Sequence, residues 1–155
     1  MIRPFHLTDA PQTHRIFVDA VLIGAASRYT LTERRDWVPE PGMPANRGPW
    51  LAEHTTLVAE TTGEITGFMM IEASGYLNLA FVTPAEMGKG IADELYQALL
   101  PLAPKTRLTS LASRIAPSFF LRHGWLYAPN ITDMEGMDPD QSAPDPAKRP
   151  MALIR

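Results

Sequence analysis

The sequence contains no cysteine, which excludes disulfide scaffolds, thiolate metal sites and a cysteine nucleophile. Lysine is scarce: Lys89, Lys105 and Lys148 stand against eleven arginines. A net charge of −3 and a pI near 5.8 leave no basic excess for gripping nucleic acid or an anionic membrane. No apolar run approaches the roughly 20 residues that cross a bilayer, and residues 1–7 lack the apolar stretch of a signal peptide. No pair among the four histidines has metal-ligand spacing. The expectation is a cytoplasmic protein with no nucleic-acid, membrane or metal partner.

What is present is ordinary globular material with one informative run. At 155 residues, 45% hydrophobic and 20% charged, the chain suffices for one domain over residues 1–155 with its own core. Residues 81–92, FVTPAEMGKGIA, read as a buried strand, a proline-broken turn, a glycine loop and the entry to a helix over residues 93–100. A strand that delivers free backbone N–H groups to a helix N-terminus makes an anion cradle. Gly88 and Gly90 let a phosphate approach the backbone without an intervening Cβ. The run matches neither GxxxxGK[ST] nor an N-terminal GxGxxG. On its own it points either to a phosphate-bearing cofactor or to a plain strand-to-helix turn.

Along the chain, residues 1–7 read as a first strand and residues 10–26 as a helix with apolar positions at helical spacing. Thr30 and Glu33 have capping-box spacing ahead of a short helix over 33–37. Residues 39–49 form a proline- and glycine-rich crossing. Residues 55–60 and 65–72 read as a hairpin, followed by a strand over 76–82. A further strand spans 107–111, and a short helix 116–123 has Pro117 in its first turn and Gly124 at its stop. Another strand begins at 125, residues 133–149 read as a mobile loop, and 151–154 as a last strand. Strands and helices in this order make an α/β or α+β domain with helices on both sheet faces.

Two segments then carry a likeness. One is Tyr76 to Pro84, YLNLAFVTP, continued by MGKGIA at 87–92; the other is SRIAPSFFLRHGW at 113–125. The first is similar to a strand ending in V-x-P and followed by [RQ]-x-x-G-x-[GA]. The second is similar to A-x-x-F-Y-x-x-x-G-F. In these motifs and their separation the chain resembles the GNAT superfamily of N-acetyltransferases, nearest its bacterial YafP-like branch.

The resemblance implies a GNAT-like mixed, mostly antiparallel sheet of six to seven strands, splayed at its centre, with helices on both faces. It implies acetyl-CoA as acyl donor, held by backbone pairing to Ala80, Phe81 and Val82 and by the loop Met87, Gly88, Lys89, Gly90, Ile91 and Ala92. Ser113 and Phe120 belong to the same cofactor set. A strand amide near Phe81 would polarise the thioester carbonyl. The acceptor is a primary amine of a small molecule or peptide, attacked directly in a ternary complex, and a homodimer is frequent in the resembled family. Three positions depart from the pattern: Met87 replaces Arg or Gln, Phe120 replaces a tyrosine often assigned as general acid, and Ser113 replaces Asn.

An amine that is protonated at neutral pH needs a proton acceptor. Glu72, ending the strand before the cofactor strand, is the first candidate, against a plain solvated carboxylate. Asn78 alternates with Tyr76 and Ala80 on the face assigned to the acceptor, whereas Leu77, Leu79 and Phe81 are expected to face the helix after the glycine loop. Tyr29, Trp37 and Trp50, with Tyr76, are candidates for an aromatic acceptor wall, against three large rings of the core. His54 is placed near the cleft and His123 as a helix C-terminal cation. Two other readings stay open: a non-catalytic acyl-CoA-binding domain with a regulatory role, and a partner-binding module using the proline-rich loop.

Overall fold

The computed structural model describes residues 1–128 and 148–155. In chain order the elements are β1 (Ile2–Pro4), α1 (Ala10–Asp19), α2 (Leu31–Trp37), α3 (Arg47–Glu53), β2 (Thr55–Thr61), β3 (Glu64–Ile71), β4 (Leu77–Val82), α4 (Ile91–Leu99), β5 (Arg107–Ala112), α5 (Pro117–Arg122), β6 (Leu126–Tyr127) and β7 (Arg149–Ile154). The run of β-branched and apolar residues from Thr55 to Ile71 folds back at Thr62 and Gly63. Both take positive φ, 51° and 82°, as a two-residue hairpin turn requires.

That hairpin is the middle of an antiparallel sheet ordered β1-β2-β3-β4; a second antiparallel sheet is ordered β5-β7-β6. The two sheets meet at one point, a parallel bridge between Tyr76 and Thr109. There the Thr109 N–H donates to Gly75 O at 3.0 Å and Ser110 Oγ to Leu77 O at 2.9 Å. Beyond this bridge β4 and β5 are not paired, so the splayed, mostly antiparallel GNAT-like sheet expected from the sequence is present.

Apolar side chains alternate between two cores. One face packs Met69, Ile71 and Leu77 against Leu95 and Leu99 of α4, with Phe120 of α5 and the fully buried Trp125. Trp125 donates its indole N–H to the Tyr96 hydroxyl at 2.8 Å, so the largest core side chain keeps its polar atom satisfied. The other face packs Val58, Phe68, Met70 and Leu79 against Ile16 of α1 and Leu51 of α3.

The strand pattern of residues 76–82 is interrupted. Ile71 pairs with Leu77 and Met70 with Leu79, so Asn78 is an extra residue in β4. A bulge of one residue reverses the side-chain alternation beyond it. Leu77 therefore faces α4, but Leu79 and Phe81 do not, contrary to the expectation: Leu79 lies in the α1–α3 core, and Phe81 packs against it. Ala80, opposite Met69, points to the α4 side instead.

The long N-terminal helix also differs from expectation. α1 ends at Asp19 and runs into a π turn, Ala20–Gly24. Arg34 of α2 donates to the Leu22 carbonyl there, a carbonyl that the widened turn frees. The crossing expected over 39–49 ends in α3, whose Pro49 falls in the first turn, where no intrahelical N–H is lost. β7 begins at Arg149, two residues before the expected strand; residues 133–147 of the expected loop lie outside the described residues.

Candidate active site

Where β4 leaves β5, the outer edge of β4 is open. Thr83 N–H donates to Thr66 O at 2.8 Å beside the Val82–Gly67 pair. In an antiparallel ladder that phase makes Phe81–Phe68 the doubly bonded pair and turns the N–H and C=O groups of Ala80 and Val82 toward the gap. The amide of Phe81 is thus used within the sheet, and the open donors are its two neighbours. Ala80, on this edge strand, is exposed.

Two cavities meet at this gap. The first, about 390 Å³, runs from Ala80, Phe81 and Val82 over Met87, Gly88, Gly90, Ile91 and Ala92 to Ser113 and Phe120. The second, about 470 Å³, lies beyond the same β4 residues and is lined by Tyr76, Asn78, Trp37, Trp50, Ser113 and Phe120, among others. Ala80, Phe81, Ser113 and Phe120 border both, so a group passed from one cavity to the other crosses at β4.

The floor of the first cavity is built for an anion. Gly88 and Gly90 take φ of 78° and 89°, the left-handed conformation that glycine adopts without steric cost. Gly90 leads directly into α4, whose first turn no side chain caps. Its N–H groups and the positive end of the helix dipole therefore face the loop. Met87 lies against the π turn, because a Cβ on Gly24 would sit 2.9 Å from Met87 Sδ. Lys89 is exposed and its Nζ lies 3.2 Å from Glu86 Oε1. At the mouth, Arg122 holds Asp93 with both carboxylate oxygens within 3.0 Å, and His123 Nε2 lies 2.7 Å from Asp93 Oδ1. These contacts, Arg122 first, hold the Asp93 carboxyl below the usual range.

In the second cavity the bulge residue Asn78 donates its Nδ2–H to Glu72 Oε1 at 2.7 Å. The candidate proton acceptor Glu72 and the acceptor-face residue Asn78 are therefore joined, Asn78 in the wall. Tyr76 is buried beside them; burial, with the Glu72 charge adding, pushes its hydroxyl up to about 12, so it stays protonated at neutral pH. Phe120 is buried against Trp125 with ring centres 4.7 Å apart, and it places no hydroxyl at the junction. Trp37 and Trp50 are brought to this cavity; Tyr29 is not. Its hydroxyl accepts the Arg114 backbone N–H at 2.9 Å, and the Arg114 guanidinium lies 4.4 Å from its ring centre. His54 packs edge-on to Trp50 outside both cavities.

Sequence reasoning missed Arg47. It reaches the second cavity from the start of α3, with its guanidinium 4.9 Å from the Phe17 ring centre and 5.2 Å from that of Trp50. Burial pulls its pKa below the ordinary arginine value. One arginine among eleven, in a proline-rich stretch, carries no local signal of this; the site exists only once α1 and α3 pack together. Among the described residues no cluster of three or more His, Asp or Glu is placed to hold a metal ion.

A family model for the acetyltransferase (GNAT) domain matches residues 46–138, more than half of the chain and both segments that border the gap. The chain belongs to the GNAT acetyltransferase family. Solved structures agree in fold. A GCN5-related N-acetyltransferase from Rhodopseudomonas palustris superposes with a TM-score of 0.82 at 23% identity, covering 100% of this chain and 95% of that one. The PaiA N-acetyltransferase of Thermoplasma acidophilum, solved in complex with coenzyme A, gives 0.74 at 14% identity, covering 100% and 98%. YncA of Salmonella typhimurium, a putative acetyltransferase solved with acetyl-CoA, gives 0.67 at 18% identity, covering 99% and 92%. No curated protein matches the sequence.

Proposed function

We propose that this GNAT protein transfers the acetyl group of acetyl-CoA directly to a primary amine of a small molecule or peptide. The observation that carries the reading is the gap at β4, with an anion-binding loop on one side and the Asn78–Glu72 pair on the other. The residues present fit the donor. A pyrophosphate suits the glycine loop and the first-turn N–H groups of α4, which no side chain caps, and the open edge of β4 suits the amide groups of a pantetheine arm. Acetyl-CoA, when bound, supplies an activated acyl carbonyl.

The chain's own groups do the rest. The Ala80 N–H, at the junction of the two cavities, would donate to the carbonyl oxygen as negative charge develops on it; one fixed donor of this kind is commonly worth about 3–4 kcal/mol of barrier. Asn78 orients the amine, and Glu72, hydrogen-bonded to Asn78 Nδ2, accepts the amine proton by way of water. With Phe120 in place of tyrosine, the thiolate leaves without a side-chain acid there, as its ordinary pKa of ~8.5 permits. The likeness of sequence motifs extends the proposal to the bacterial YafP-like branch; a cytoplasmic setting and one catalytic domain over residues 1–155 belong to the same reading.

Initial-rate assays of thiol release from acetyl-CoA with a library of primary amines test the reading. Intersecting double-reciprocal lines are expected for a ternary complex. Parallel lines would contradict direct transfer. Stabilisation by CoA without thiol release from any amine would instead assign the chain as a non-catalytic CoA-binding domain.

A further inference from the structure

Arg47 has no counter-charge among the described residues. Its Nε and Nη2 are buried and without a hydrogen-bond partner, although a buried guanidinium edge is ordinarily paired. These two nitrogens lie on one edge of the planar group, the fork that receives a carboxylate by two parallel bonds. The guanidinium is stacked on Phe17 and Trp50, which fixes its plane. No aspartate or glutamate lines the 470 Å³ cavity among the described residues, and a second cation, Lys148, borders it with Nζ 5.1 Å from the Trp37 ring centre. Glu72 reaches that wall only through Asn78. A polyamine or a lysine-rich peptide would bring positive charge beside the unpaired Arg47 fork.

We propose that the amine acceptor carries a carboxylate that pairs with Arg47, and that its apolar part lies against Trp37, Trp50 and Tyr76: a hydrophobic or aromatic amino acid, free or at the end of a short peptide. This rests on the acetyl-transfer reading above. Arg47 is a binding residue of the acceptor side; it takes no part in the proton transfer. Carboxylate and amine then sit at two ends of one cavity, the amine at the Ala80–Phe120 junction shared with the donor cavity.

The test compares matched ligands on the full chain loaded with CoA: phenylalanine against 2-phenylethylamine, and leucine against isopentylamine, each titrated while tryptophan fluorescence is followed. The carboxylated member of each pair is expected to bind at least ~10-fold more tightly, since truncating one bidentate charge pair commonly costs tenfold or more. Arg47→Gln should erase that difference and Arg47→Lys should restore part of it. The CoA-induced thermal shift of each variant reports that it is folded. Equal or better binding of the decarboxylated partners to the wild type, or a preference that survives in a folded Arg47→Gln, would overturn the proposal. Failure of the acetyl-transfer reading appears separately, as absence of thiol release from acetyl-CoA with every amine tried, carboxylated or not.

Discussion

Gly88 and Gly90 have open space where a Cβ would go, but φ of +78° and +89°. A substitution there acts through backbone strain and not through a clash. Forcing an L-residue into this region costs roughly 1–2 kcal/mol, so Gly88→Ala is expected to weaken CoA binding by about tenfold; titration calorimetry checks it. Glu72 and Asn78 act as a pair. Glu72→Gln should lower kcat by ~10²-fold, the lower end of what a general base contributes, with the KM for acetyl-CoA unchanged. A fall in KM-controlled binding with kcat intact would place Glu72 outside proton transfer. The glycines were legible in the sequence because a positive φ selects for glycine. Arg47 was not, since Phe17, one of the two rings that flank it, lies thirty residues earlier in the chain and is joined to it only by packing.

At the scale of elements, α2 is tied to the β5–α5 turn by one arginine. Arg114 bonds Glu33 Oε2 at 2.5 Å, the Arg28 carbonyl at 3.1 Å and the Tyr29 hydroxyl through its backbone N–H. This clasp, with the Thr30 N–H, holds the Glu33 carboxyl down to about 2 from an ordinary 4.5. A carboxyl lowered on folding adds stability above its unfolded pKa and loses it as pH falls toward the folded one. The Tm gap between wild type and Glu33→Gln is therefore expected to be present at pH 6 and to close progressively from about pH 4.5 down to about pH 2; thermal melts across that range check it. A gap that does not change with pH would mean that neither the Arg114 pair nor the Thr30 N–H favours the ionised carboxylate in the folded chain.

Most elements could be read from the sequence, because hydrophobic period and turn residues decide them locally. The hairpin, the capping box and the glycine entry to α4 are of that kind. The bulge at Asn78 was not legible: YLNLAFV alternates without a break, and only the pairing of β4 with β3 reveals that one residue is extra. That single residue turns Phe81 to the acceptor face, 5.1 Å from Phe17 and 6.4 Å from Trp37 between ring centres. The π turn escaped notice for a similar reason, since its widened carbonyl is satisfied by Arg34, far along the chain.

At the scale of the whole molecule, the two sheets touch at one bridge and then part, and everything functional follows from that parting. It opens the β4 edge, separates the two cavities and places Ala80 and Phe81 at their junction. The most direct measurement is thermal unfolding of the full chain with and without acetyl-CoA at ~100 times an assumed micromolar Kd. Binding to the folded state alone predicts about 2.7 kcal/mol of added stability. For a chain of this size that is a rise in Tm of about 5–10 °C, smaller for Gly88→Ala at the same concentration. No rise at any concentration would contradict the account, because the loop from Gly88 to Ala92 would then be a strand-to-helix turn and nothing more.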